Sequence, residues 1–110
     1  MCMLYRDYLL SHEGKHTIEI PNLGFIVYMI VDGVVHVDIL YVDPKFRRQG
    51  SGTLLMNKIL ETHKSENLKA VTCVVDTKLN SPTESLKAIL SYGFEVVGVN
   101  DHEILLYKEL

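Results

Sequence analysis

The sequence predicts a single domain of mixed α/β type, with a sheet that is antiparallel at both ends and contains one parallel pair of strands. Two observations lead to this fold class. β-branched and aromatic residues crowd positions 17–42, and the hydrophobic period becomes helical after Pro44. The length of 110 residues is that of one domain, so positions 1–110 are treated as one unit.

The composition excludes several classes of protein. The chain is 47% hydrophobic with a net charge of −3, which is typical of a globular domain and does not attract nucleic acid or an anionic membrane. Its apolar runs are shorter than a membrane span, and no signal peptide is visible at the N-terminus. Cys2 and Cys73 form no metal or disulfide pattern and indicate reduced thiols. We therefore expect a cytoplasmic protein without a bound metal.

Three adjacent antiparallel strands are predicted at residues 17–20, 25–31 and 34–42. The last two flank Asp32-Gly33, a dipeptide typical of a two-residue type I′ hairpin. The residues before them, 1–15, are harder to assign, because Tyr5, Tyr8 and Leu9 would face inward from either a helical turn or a bent strand.

A helix is predicted at residues 50–64, followed by a buried strand at 68–75. The helix has one apolar stripe, formed by Leu55, Met56, Ile59, Leu60 and His63. Because a helix separates this strand from 34–42, the two strands are expected to be parallel through a right-handed crossover.

The second helix has its own start and stop signals. Ser81 and Glu84 form a capping box around Pro82, and Gly93 is placed to end the helix. Its core-facing residues are predicted to be Leu86, Ile89 and Leu90. Two closing antiparallel strands follow at 94–99 and 103–106.

The junction between the strand 34–42 and the next helix is the most informative segment. Gly50 and Gly52 permit a tight turn where a helix begins, so that backbone N–H groups are left without intrahelical partners. These donors and the helix dipole favour a phosphate or pyrophosphate, and Lys45, Arg47 and Arg48 add positive charge. The alternative is a tight turn with solvated basic residues. The segment lacks the Lys-Ser/Thr of a P-loop and the third glycine of a dinucleotide fingerprint.

The sequence Arg47-Arg48-Gln49-Gly50-Ser51-Gly52, after a strand that ends in Tyr41-Val42-Asp43-Pro44, resembles the acetyl-CoA signature of the GNAT superfamily of N-acetyltransferases. The order of the later elements also matches, including Gly93-Phe94 after the second helix. The resemblance covers residues 17–110, and the chain is similar to minimal, short-chain members of the superfamily. It implies a GNAT-like fold with a shortened N-terminal part and acetyl-CoA as co-substrate.

The resemblance also implies which residues contact the cofactor. Backbone amides of 48–53 would hold the pyrophosphate, and the end of the strand 34–42 would pair with the pantetheine arm in a gap beside strand 68–75. Asn80 resembles the asparagine of the family that contacts the cofactor, although it lies two residues early relative to Gly93, and a turn residue is the simpler interpretation. The full set is Leu40, Tyr41, Val42, Arg47, Arg48, Gln49, Gly50, Ser51, Gly52, Thr53 and Asn80.

The resemblance implies a position for the general base, on the strand that leads to the junction. That position is His36, and Asp38 would share its face of the strand by the period of two. A half-exposed His–Asp pair without function is the alternative.

The tyrosine that donates a proton in many relatives is replaced by Ile89. Tyr92, nearly one helical turn away, is the candidate acid, and the alternatives are the nearby hydroxyls of Ser85 and Ser91 or solvent. Cys73 is either an acetyl carrier or, more simply, a buried thiol.

The resemblance thus implies an enzyme that transfers acetyl from acetyl-CoA to a primary amine. Few residues precede position 17, so the acceptor side is expected to be open, which favours a protein lysine. The rival hypotheses are a non-catalytic acetyl-CoA-binding or interaction module and a phosphate-binding domain without preference for coenzyme A. We expect a monomer or a homodimer.

Overall fold

The computed structural model describes residues 3–47, 50–78 and 82–110. It consists of a six-stranded mixed sheet and three α-helices, with the strands in the order β1-β2-β3-β4-β6-β5. The elements are α1 (Met3–Glu13), β1 (His16–Ile20), β2 (Gly24–Val31), β3 (Val34–Val42), a 3₁₀ turn (Pro44–Phe46), α2 (Ser51–Thr62), β4 (Ala70–Asp76), α3 (Pro82–Tyr92), β5 (Glu95–Asn100) and β6 (Glu103–Glu109).

The strand predictions are confirmed. β1, β2 and β3 are antiparallel neighbours, and Asp32 and Gly33 connect β2 to β3 with φ angles of 51° and 80°. Both angles are positive, as a type I′ turn requires. β3 and β4 are parallel, and β5 and β6 close the sheet as an antiparallel pair. The helix between β3 and β4 predicted their parallel direction, and the short turn predicted the hairpin. The sequence did not predict that β6 lies between β4 and β5.

The main hydrophobic core lies between one side of the sheet and the two helices α2 and α3. Leu55 and Ile59 of α2 are fully buried against strand residues such as Tyr28 and Val35. Leu86 and Ile89 of α3 pack against the same cluster. This arrangement leaves the other side of β4, β5 and β6 without a covering helix among the described residues.

Two predictions about helix faces are wrong in part. Leu90 is 43% exposed, because Leu86 and Ile89, three residues apart, already fill the narrow face that α3 turns to the sheet. The N-terminal segment is the helix α1, in which Leu9 is buried but Tyr5 and Tyr8 are about half exposed. The proposed cap at Ser81 lies outside the described residues. No helix that the structure describes is both long and apolar enough to cross a membrane.

Candidate functional site

The parallel strands β3 and β4 are paired over only part of their length. The ladder contains three residue pairs, the last of which joins His36 to Thr72. Residues 37–42 of β3 have no partner in β4, although all of them except Asp38 still pair with β2 on the other side. A gap therefore opens between β3 and β4 towards the carboxyl end of β3, where the sequence predicted it.

Backbone groups of β3 face this gap. The N–H of Asp43 donates to the carbonyl of Leu23, 2.7 Å away, and so points towards β2. Because alternate residues of an antiparallel strand point to opposite neighbours, the backbone groups of Leu40 and Val42 face the gap. The carbonyl of Val42 already accepts a hydrogen bond of 2.9 Å from Nε of Arg47. A ligand arm in the gap would share or replace that bond.

The amino end of α2 lies next in the chain and presents open amide groups. Gly50 has a φ of 77° and precedes the helix without a side-chain cap. The first intrahelical bond runs from the N–H of Leu54 to the carbonyl of Gly50, so the preceding amides of the first turn have no intrahelical acceptor. A Cβ built on Gly50 meets no atom within 4 Å, which indicates open space beside the turn. Ser51 Oγ instead donates to the carbonyl of Phe46 at 2.8 Å.

Other cofactor candidates surround the same junction. The guanidinium of Arg47 lies 5.7 Å from the ring centre of Tyr41, and Tyr41 stacks on Phe25. Thr53 is exposed on the first turn of α2. Arg48, Gln49 and Asn80, which were predicted to contact the cofactor, lie outside the described residues.

His36 and Asp38 are not brought together as predicted. Nδ1 of His36 lies 2.6 Å from Oγ1 of Thr72, whereas the carboxylate of Asp38 accepts a hydrogen bond of 2.9 Å from Lys15. That bond raises the pKa of Lys15. A β-bulge interrupts β3 at this point, since the register jumps from Val37 to Ile39 opposite consecutive residues of β2 and leaves Asp38 as the extra residue. The period of two on which the prediction relied does not hold across a bulge.

Tyr92 lies on the helix side of the sheet. Its hydroxyl donates to Oδ1 of Asn57 on α2 at 3.2 Å, and the ammonium of Lys108 lies 5.5 Å from its ring centre. Burial raises the pKa of Tyr92, so the phenol is protonated at neutral pH. His36 lies on the opposite side of the sheet, since its neighbour Val35 points into the core. The two candidates therefore lie on opposite sides of the sheet.

Thr72 is the residue that sequence reasoning missed. It follows from the parallel register of β3 and β4, which sets it directly beside His36. The available signal was a polar threonine within a strand that is otherwise largely apolar. The sequence does not reveal which residue of β3 lies opposite it.

Cys73 is a buried thiol. Its side chain belongs to the core cluster, and burial raises its pKa to about 11. Since the thiolate is the nucleophile, this environment favours the structural interpretation over an acetyl carrier.

We expect the reactivity of Cys73 to follow from this burial. In a Cys2→Ser background, a thiol reagent at pH 8 should modify the folded protein far more slowly than the protein in denaturant. The unfolded chain releases the thiol proton near pH 9, whereas the folded chain holds it to about pH 11. The free energy of unfolding should therefore fall as the pH rises through this range, and Cys73→Ala should remove that part of the slope. Rapid modification of the folded protein would contradict the buried assignment.

A second polar cluster lies at the other end of α2. The hydroxyl of Tyr28 and Nε2 of His63 are 2.7 Å apart, and Nδ1 of His63 is hydrogen-bonded to Glu66. Burial raises the pKa of Tyr28 to about 12. His63, predicted as part of the apolar stripe, is thus buried with both ring nitrogens paired, and it joins α2 to the sheet.

Comparisons with known proteins agree with this fold. The family model described as "Acetyltransferase (GNAT) family" matches residues 5–94, which extends the resemblance to α1. No curated protein matches the chain. Three solved structures show the same fold at low sequence identity.

The first is a PaiA N-acetyltransferase from Thermoplasma acidophilum in complex with coenzyme A, with 17% identity and a TM-score of 0.70 over 80% of this chain and 54% of that one. The chain thus spans about half the length of that relative. A GNAT family acetyltransferase from Elizabethkingia anophelis with acetyl-CoA bound has 22% identity and a TM-score of 0.68, covering 100% of this chain and 84% of that one. The anti-CRISPR protein AcrVA5 has 21% identity and a TM-score of 0.67, covering 86% and 97%. With the family model matched over most of its length, the chain belongs to the GNAT family of acetyltransferases.

Proposed function

We propose that this protein transfers the acetyl group of acetyl-CoA to a primary amine. The observation that carries the proposal is the gap between β3 and β4, which opens beyond His36 and lies next to the uncapped amino end of α2. An anionic group fits a helix N-terminus, and an extended amide-containing arm fits the unpaired backbone of a strand. Coenzyme A has both parts, and two relatives were crystallised with it or its acetyl form.

In this proposal the amides of Ser51, Gly52 and Thr53 bind the pyrophosphate, and Leu40 and Val42 pair with the pantetheine arm. Arg47 provides positive charge at the same corner, where it is held by the carbonyl of Val42. The thioester then lies in the gap, with its carbonyl close to the last paired residues of β3 and β4. The remaining candidates, Tyr41, Arg48, Gln49 and Asn80, stay predictions.

The reaction requires an unprotonated amine, whereas a free lysine amine has a pKa of about 10.4. We assign the role of general base to His36. When Nδ1–H donates to Oγ1 of Thr72, Nε2 keeps its lone pair and can accept the proton of the attacking amine. The amine nitrogen bonds to the acetyl carbon, and the bond from that carbon to sulfur breaks. Asp38, paired with Lys15, contributes only at longer range.

The leaving thiolate takes up a proton, and Tyr92 is the candidate donor. Ile89, in the position of the family's usual phenol, packs against the core and has no proton to give. Tyr92 would have to leave Asn57 to reach the sulfur. The acceptor is a primary amine, and the uncovered sheet beside His36 favours a protein lysine.

The donor role of Tyr92 is testable with Tyr92→Phe. We expect kcat to fall by about tenfold, less than the ~10²–10⁴-fold of a fully positioned general acid because Tyr92 must first leave Asn57, while the Kd for acetyl-CoA stays constant. Asn57→Ala, which frees the hydroxyl without removing it, is the matched control and should retain full kcat. An unchanged kcat in Tyr92→Phe would assign protonation of the thiolate to water.

Calorimetry and turnover together test the proposed function. Acetyl-CoA should bind and raise the Tm, because a ligand at 100 times its Kd adds about 2.7 kcal/mol to the free energy of unfolding. Equal concentrations of ADP or pyrophosphate should raise the Tm less. Release of coenzyme A is then followed with a panel of amines and a lysine peptide. Binding without turnover would favour the non-catalytic module, which the replacement of the usual phenol by Ile89 also suggests. Equal shifts with pyrophosphate would favour a simple phosphate site.

A further inference from the structure

One side of β4, β5 and β6 is left uncovered by the described helices. The opposite side carries Val71 and Leu106, which are buried in the core with α2 and α3. On the uncovered side, Val74 and Leu105 are direct neighbours in the ladder, and they are 51% and 40% exposed. Adjacent apolar side chains that are open to solvent in the middle of a sheet are available for contact with another molecule.

The acidic and the basic residues of β4, β5 and β6 lie on opposite sides of the sheet. All three strands are described over their whole length. The alternation of strand residues places every carboxylate of the three strands on the uncovered side. Their one basic residue, Lys108, points to the helix side, where it lies over Tyr92. We call this surface the acidic sheet face. Its carboxylates are Asp76, Glu95, Glu103 and Glu109.

One side of the acidic sheet face lies next to His36, the candidate general base. Residue pairs in register form one row across four strands, from His36 to Thr72, Tyr107 and Glu95. Three strand spacings separate the ends of this row, so the backbones of His36 and Glu95 are roughly 14 Å apart. At the far end, a shallow cavity of about 180 Å³ is lined by residues that include Glu95, Tyr107 and Glu109. Lys108 and Gly93 complete the lining.

We propose that the acidic sheet face binds a positively charged segment of an acceptor protein and thereby presents one of its lysines to His36. The proposal rests on the proposed acetyl transfer. The carboxylates attract the charged ends of lysine and arginine, while the aliphatic stems of these side chains cover Val74 and Leu105. The same carboxylates repel nucleic acids and anionic membranes.

A second copy of the chain fits this surface poorly. A two-fold contact between two acidic sheet faces would place carboxylates opposite carboxylates, which is destabilising. At the edge of the face, Nε2 of His102 lies 3.9 Å from Asp76, and this imidazole carries charge only when protonated. A separate, basic partner is therefore the occupant that the charges favour.

The test compares two labelled peptides that carry the same central lysine, one flanked by arginines and the other by glutamates. Binding is measured by fluorescence anisotropy, which needs no turnover, and acetylation is measured in parallel with a small amine as reference. The variant neutralises three carboxylates of the face, Glu95→Gln, Glu103→Gln and Glu109→Gln. The matched control, Asp7→Asn, Asp32→Asn and Glu61→Gln, removes the same charge from exposed positions elsewhere.

We expect the wild type to bind the arginine-flanked peptide at least about tenfold more tightly, and to lose this preference at high salt. The face variant should lose most of the preference while keeping its Kd for acetyl-CoA and its kcat for the small amine. The control variant should keep the preference. Equal binding of both peptides by the wild type, or equal loss in both variants, would overturn the proposal. A wild-type dimer that dissociates in the face variant would instead assign the face to a second copy. If only the proposed acetyl transfer is wrong, the arginine-flanked peptide would still bind preferentially, but no peptide would be acetylated.

Discussion

Replacement of His36 by glutamine is expected to lower kcat by about 100-fold or more while leaving the Kd for acetyl-CoA unchanged. General base catalysis contributes about 10²–10⁴-fold to rates of this kind. Glutamine is close to histidine in length and can still bond to Oγ1 of Thr72, but it cannot accept a proton. The imidazole lies beside the gap and outside the core, so its loss should not alter the fold.

Two further variants make this result specific. His12→Gln changes an exposed histidine on α1 and should retain full activity. Thr72→Val removes the hydroxyl that orients the imidazole and should lower kcat less than His36→Gln does, with the pH dependence of kcat altered. Single-turnover kinetics at saturating acetyl-CoA provide the measurement. If His36→Gln retains the wild-type kcat, proton removal belongs to water and the residue is part of the sheet surface only.

The features of the fold that local sequence determines could be predicted. The turn at Asp32-Gly33 fixes the hairpin, and the helix between β3 and β4 fixes their parallel direction. Gly50 and Gly52 at the junction likewise indicate, from the sequence alone, where backbone amides are open. In each case the decisive residues are neighbours in the chain, so pattern and propensity are sufficient.

The contacts of the candidate site depend on register between distant residues. The bulge that isolates Asp38 arises from the way β3 pairs with β2, and Lys15 reaches it from 23 residues away. Thr72 becomes the partner of His36 only because β4 aligns in parallel, 36 residues further along the chain. No local pattern encodes such offsets. The same limit applies to Leu90, whose exposure depends on how α3 lies on the sheet.

Gly24→Ala is expected to destabilise the protein and, with it, the cofactor end of β3. A Cβ at this position would lie 2.1 Å from the carbonyl oxygen of Tyr41 and 3.0 Å from Cα of Val42. Both are backbone atoms, so no side-chain rotation relieves the overlap and the strands must separate. Insertion of a methyl group into a close-packed site costs about 1–3 kcal/mol. A urea titration of the ligand-free protein should therefore show a lower midpoint.

Gly98→Ala is the matched control, since this glycine also lies in a strand and its added Cβ would meet Leu105 at an ordinary 3.9 Å. We expect a change within about 0.5 kcal/mol there. Because the strands that must separate in Gly24→Ala carry the backbone groups of Leu40 and Val42, the folded fraction of that variant should also bind acetyl-CoA more weakly. A Kd that stays at the wild-type value, in a variant that is clearly destabilised, would separate the two effects. The pantetheine arm would then pair elsewhere than at the end of β3, and the gap would lose its assigned ligand.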